Sequence, residues 1–429
     1  HHAYFLYNAR NFTRDGTQFM KYIIQADRLI DGSGSEPLKN GAVVTEEGKI
    51  IKVCTSDQLT QSDKSNAEIL TVPGGSILPG FIEMHSHIHC SSEADAYEHI
   101  TTESNETFLL RGTQAVRAAL SSGVTTMRDL GSRNEVVFPL RQGISDGIIP
   151  GPRLLVAGTP ITTTGGHCNM FGTEANTSAE VVKAIRQQFK LGADCIKIMS
   201  TGGGFTPGTN VRAPQYTADV LKNAVHDADR LGLKVAAHCH ATEGVKNCVE
   251  AGIHNLIHCS WLSSDPSEQY DYDPDVADQI AEKGIYVDPT LALSHLNSLR
   301  GRPIKPDSGA MRDPEKRFEI LRDMWDRGVR FVTGMDSGMT NAHFDDFAYI
   351  PEVMVNDMNI SPLEAITCST KTSAECLGME DQIGTIEKEK SADIVVVNGD
   401  PSTDISTLHD VNTILSQGNL VKSENNLLI

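Results

Sequence analysis

Six polar side chains interrupt otherwise apolar runs: His85 and His87 in FIEMHSHI, Lys197 in ADCIKIM, His238 in KVAAHCH, His258 in HNLIHC and Asp336 in RFVTGMDS. Imidazole and carboxylate are ligands for divalent cations. Two histidines at i and i+2 on a strand point to one face about 6.6 Å apart along the chain, close enough to share a metal. The lysine needs a separate explanation, because an unpaired buried ammonium is costly unless it is neutralised or paired. Addition of carbon dioxide would turn its amine into a carbamate, an anion able to bridge two cations. A single His or Asp at a strand end is more often a hydrogen-bonded structural residue, so the reading rests on recurrence in successive runs.

The elements that must position these groups are legible in the same runs. ILPGFIEMHSHI, VTTMRDLG, PRLLVAGT, ADCIKIMS, KVAAHCH, HNLIHCS, IYVDPTL and RFVTGMDS are eight apolar, strand-like stretches. Segments of helical spacing separate several of them, among them SAEVVKAIRQQFKLG, TADVLKNAVHDADRLG, TEGVKNCVEAG and DVADQIAEKG, each closing on the glycine expected after a helix. Nearly continuous apolar strands alternating with helices predict an α/β fold, a (β/α)8 TIM barrel, over residues 77–378. In that fold the reacting groups stand at the C-terminal ends of the strands, where these six residues lie. Short strands between Gly, Asp and Pro turns occupy 20–76 and return in 379–429, and their matching texture predicts a small β-sandwich domain built from both ends.

Composition narrows the partners. Lys plus Arg number 37 against 56 Asp plus Glu, and the resulting charge of −19 argues against nucleic acid and anionic membranes while leaving small molecules open. No stretch approaches the roughly 18–20 apolar residues that cross a bilayer. Nine scattered cysteines, without C-x-x-C spacing, read as reduced thiols in a cytoplasmic protein. Residues 1–19 lack a secretory pattern and begin His1-His2, which reads as a tag or leader with Met20 as the native start.

The ordered set LPGFIEMHSHIH (78–89), TTMRDLG (125–131), TTGGH (163–167), IKIMSTGGG (196–204), AAHCH (236–240), HNLIHC (254–259) and TGMDSG (333–338) resembles the amidohydrolase superfamily, from about Met20 onward. The resemblance implies two divalent metal ions, zinc by default. One would be held by His85, His87 and Asp336 and the other by His238 and His258, with carboxylated Lys197 bridging them. It implies hydrolysis of an amide-type C–N bond by a metal-bridged hydroxide, with Asp336 taking the water's proton and passing it to the leaving amine. It also implies a homo-oligomer.

The motif context sorts the remaining residues. His89 lies one step beyond the H-x-H pair and is placed behind it. His254 and His258 stand about 13 Å apart on a strand, too far to share one ion, and the motif position selects His258. His240 is expected to project toward the barrel mouth and polarise a substrate carbonyl, with His167 as a second catalytic substrate contact. Gly203 and Gly204 form a loop beside the substrate, since the run lacks the Gly-Lys-Ser/Thr of a phosphate loop. Trp261 and Phe205 are read as pocket or core.

TTGGH and IKIMSTGG are similar to the imidazolonepropionase-like branch that includes Xaa-Pro and Xaa-Arg dipeptidases and ochratoxin-type amidases. That similarity implies a dipeptide or N-acyl amino acid as substrate. The dipeptidases generally carry Tyr where this chain has His240, which keeps open a hydrolase of aryl ureas, carbamates or thiocarbamates, as in the related phenylurea and molinate hydrolases. A mononuclear deaminase of the same superfamily is a lesser alternative, set back by Lys197. A non-catalytic scaffold is set back by the presence of all six ligand positions.

Overall fold

The eight apolar runs form eight strands in the expected order, in a computed structural model that describes residues 20–301 and 313–429. The segment 1–19 expected as a tag or leader lies outside the described residues. The strands are Phe81–Ser86 (β1), Val124–Asp129 (β2), Arg153–Val156 (β3), Cys195–Met199 (β4), Lys234–Ala241 (β5), Asn255–Leu262 (β6), Tyr286–Asp288 (β7) and Arg330–Phe331 (β8). β1, β2 and β3 pair in parallel, as do β4 through β8. Two seams join these sets. Asp194 N–H donates to the Val156 carbonyl at 2.8 Å between β3 and β4. Met84 N–H to Thr333 O at 3.0 Å and His87 N–H to Ser337 O at 2.7 Å tie β1 to the segment after β8. The ring of parallel strands is thereby closed, as in a TIM barrel.

The local chemistry follows the sequence. The helix Ser178–Leu191 starts in a reciprocal cap between Thr177 and Glu180 and ends at Gly192 with φ 88°, a left-handed conformation that glycine adopts without steric cost. Thr242–Ala251 ends in the same way at Gly252. Apolar faces of these helices pack on the outward faces of the strands to form one large core that includes Val181, Ile185, Leu221, Val245 and Leu256.

Strands from the two chain ends do pair. Ala67–Pro79 lies between Lys21–Leu29, parallel to it, and Ile394–Val397, antiparallel to it, at the centre of a nine-stranded sheet. That strand runs directly into β1 through Gly80, where a Cβ would sit 2.0 Å from Thr125 Oγ1. A single residue without a side chain thus lets the sheet strand meet the barrel wall and fixes where the first H-x-H pair emerges. Among the described residues no helix is long and apolar enough to cross a membrane.

Candidate active site

All six residues expected as metal ligands converge at the C-terminal ends of the barrel strands, and all six are buried. Asp336 Oδ1 lies 3.3 Å from His85 Nε2 and 3.4 Å from His87 Nε2, and Lys197 Nζ lies 3.4 Å from His85 Nε2. Two donor sets are close enough to grip a cation. Ligand atoms of His85, His258 and Asp336 fall within 4.8 Å of one another, as do those of His238, His240 and His258. The donor chemistry, neutral imidazoles with a carboxylate and an amine, fits a divalent cation of the zinc type.

Burial and mutual proximity hold His85, His238 and His258 well below the ordinary imidazole pKa, so they are neutral and able to coordinate. Burial likewise lowers Lys197 to about 8, which brings the free amine within reach near neutral pH. The ring orientations are set from behind. His87 Nδ1 meets the Gly131 carbonyl at 2.8 Å, and His258 Nδ1 meets Thr290 Oγ1 at 2.8 Å. Since the Thr290 hydroxyl donates to Pro289 O, it must accept from His258, leaving Nε2 of His258 as the free nitrogen. His238 is turned the other way, its Nε2 donating to Gly202 O at 3.1 Å.

His240 does not stand alone at the mouth. It is half-buried and stacks on His258 with ring centroids 4.5 Å apart, and it packs edge-on against His238. Burial takes its pKa down to about 3. His167 lies against His238 at 4.4 Å between ring centroids, and its Nδ1 is buried without a hydrogen-bond partner. Gly203 packs on that ring so closely that a Cβ would come within 2.4 Å of it, whereas Gly204 is exposed.

His89 is buried between Phe108 and Phe171 and bonds Ser132, behind the H-x-H pair as expected. His254 reaches back to Cys376 O at 2.9 Å, far along the strand from His258. Trp261 belongs to the core, its indole N–H donating to Met324 Sδ at 3.2 Å. Phe205 is half-buried against the cluster of Phe171, Met199 and Met339.

Three residues of the site escaped the sequence reading. Asp288, at the end of β7, is wholly buried, and its Oδ2 lies 3.5 Å from His85 Nδ1; neither atom has a hydrogen-bond partner, and burial raises its carboxyl to about 7. Glu83 shares the strand face of His85 and His87, accepts from His85 N–H at 2.8 Å, Met335 N–H at 3.0 Å and Ser337 Oγ at 3.3 Å, and is raised by burial to about 8. It thereby holds the Met335 backbone and the Ser337 side chain on either side of Asp336. Arg317 is buried with its guanidinium on the carbonyls of His258 and Cys259, at 2.5 and 2.8 Å. Both of those residues are left-handed, with φ 67° and 45°. The signal for Glu83 and Asp288 was an acid inside an apolar run; nothing in the sequence marks Arg317.

A model of the amidohydrolase family matches residues 76–421, so the chain belongs to that family and is a hydrolase. Ochratoxinase of Aspergillus niger is 26% identical over 421 residues, covering 90% of this chain and 83% of that protein. Among solved structures, a Xaa-Pro dipeptidase with methionine bound in its active site superposes with a TM-score of 0.83 at 28% identity, covering 94% of this chain and all of that one. Molinate hydrolase matches with a TM-score of 0.78 at 22% identity, over 94% of this chain and 95% of that one, a likeness of fold.

Proposed function

We propose that the protein is a binuclear metal-dependent amidohydrolase that cleaves an amide-type C–N bond of a small molecule, a dipeptide or N-acyl amino acid. The observation that carries this is the convergence of neutral imidazoles, a lysine and one carboxylate at the strand ends, where two donor groups that share His258 each bring their ligand atoms within 4.8 Å of one another. His85, His87 and Asp336 would hold one ion, His238 and His258 the other, with carboxylated Lys197 between them. Bound cations supply the Lewis acidity that activates water and polarises a carbonyl.

The chain's own groups do the rest. Asp336 Oδ1, reaching both His85 and His87, is placed to accept the proton of the attacking water and return it to the leaving nitrogen. His167, with Nδ1 unpartnered and its ring wedged between His238 and Gly203, is held rigidly enough to meet a substrate carbonyl oxygen. The relatives named for dipeptides and ochratoxin support the amide reading.

A second reading, hydrolysis of an uncharged aryl urea or carbamate, is supported by the state of three arginines near the strand ends. Arg212 is engaged by the carbonyls of Ser263 and Glu268, Arg300 by Asp346, and Arg317 by β6, leaving none of the three for a substrate carboxylate. The pairing of both chain ends in one sheet supports a small β-domain of 20–76 and 379–429 beside the barrel, and nine buried cysteines without a disulfide support a reducing, cytoplasmic setting.

The test is to assay the purified protein, reloaded with metal, on dipeptides, N-acyl amino acids and aryl ureas, and to measure bound metal. About two ions per chain are expected, against one for a deaminase and none for a scaffold. Asp336→Asn is expected to keep metal and lose most turnover; a near-normal rate would remove the proton-transfer role.

A further inference from the structure

We propose that His240 is a third imidazole ligand of the cation held by His238 and His258, rather than a group kept for the substrate; this rests on the binuclear reading above. On β5, His238 and His240 repeat the i, i+2 arrangement of His85 and His87 on β1, so both imidazoles of each pair leave one strand face. The structure brings the second pair together with His258, the ligand atoms of all three lying within 4.8 Å of one another.

The orientation of the His240 ring matches that of a ligand. Metal-bound imidazoles engage their other nitrogen with an oxygen behind it, which fixes the ring and directs the free nitrogen forward. His87 does so with Gly131 O, and His258 with Thr290 Oγ1. His240 does the same, its Nδ1 lying 2.7 Å from Ser260 Oγ, supplied by the next strand. The backbone N–H of His240 is held as well, donating to Thr201 Oγ1 at 3.0 Å. The His240 ring also stacks at 14° on His258 and packs edge-on against His238, the two residues read as ligands of that cation.

The two cation positions would then differ in charge. One is faced by the Asp336 carboxylate, the other by three uncharged imidazoles that leave a bound ion its full positive charge apart from any contribution of Lys197. The role of polarising a carbonyl directly from the protein would fall to His167 alone.

The experiment is to load wild type, His240→Ala, His240→Gln and Ser260→Ala with cobalt or zinc. Ions per chain and their affinities are then measured by chelator competition, and the imidazoles per ion are counted by X-ray absorption. His240→Ala is expected to hold one ion as wild type does and to bind the other at least about 10- to 100-fold more weakly, with one imidazole fewer at that ion. Ser260→Ala is expected to weaken the same ion by about 10-fold. His240→Gln serves if the alanine variant does not fold. Unchanged affinities and imidazole counts with a lowered kcat would overturn the proposal and return His240 to the substrate. Fewer than two ions on wild type would instead defeat the binuclear reading, and His240 is then judged by whether its loss weakens the ion that does bind.

Discussion

Gly334→Ala tests whether the buried carboxylate behind His85 orients that ligand. Gly334 has no left-handed backbone to lose, so the substitution acts by contact alone. Its new Cβ would stand 2.1 Å from Asp288 Oδ2 and 2.6 Å from His85 Cβ. Ordinary contact begins at 3.4 Å, so the carboxylate must retreat by about 1.3 Å and the root of His85 by about 0.8 Å. Neither has free space to move into, because Asp288 and His85 are 0% and 1% exposed. Overpacking of this kind destabilises by about 1–3 kcal/mol. A misplacement of about 1 Å in a reacting constellation costs about 100-fold in rate. The expected result is a loss of about 100-fold in kcat/KM together with weakened metal binding, read by steady-state kinetics and chelator competition on a protein that still unfolds cooperatively. Asp288→Asn, which keeps the shape and removes the charge, is expected to weaken metal about 10- to 100-fold with little loss of stability. Wild-type metal affinity in both variants would refute the reasoning.

The buried guanidinium of Arg317 gives a separate prediction. Arg317→Met leaves the His258 and Cys259 carbonyls unpaired in the protein interior, at a cost of about 1–3 kcal/mol in a denaturation experiment, and lets His258 lose its fixed position. Unchanged stability and metal content would show that the left-handed backbone there holds itself. For Lys197, burial depresses the pKa to about 8, and only the free amine adds carbon dioxide. Below about pH 7 the side chain is mostly ammonium, and above about pH 9 mostly amine. Carbamate formation on metal-free protein, followed with carbon-13 bicarbonate by NMR, should therefore rise through that window and level off above it. A rise centred near pH 10.5, the ordinary lysine value, would show that burial does not act on this amine.

What could be read from the residues was what is local along the chain. The strand runs carry their own periodicity, and a ligand at a strand end is recognisable because the barrel places every such end on one face. That is why His85, His87, Lys197, His238, His258 and Asp336 are all legible in the sequence, and why the glycines after the helices mark their ends. The ambiguity over Trp261 was of the opposite kind, since an aromatic at a strand end packs outward or lines a pocket according to neighbours that the sequence does not place.

The tertiary structure decided everything that depends on which strand lies next to which. Asp288 faces His85 because β7 and β1 both flank β8 in the closed ring, and Ser260 backs His240 because β6 pairs with β5. Arg317 reaches the His258 carbonyl from 59 residues away. A ligand's identity is written in its residue type and spacing. The oxygen behind it that fixes its tautomer and aim is a short-range contact between segments remote in sequence, and it exists only once the barrel has closed.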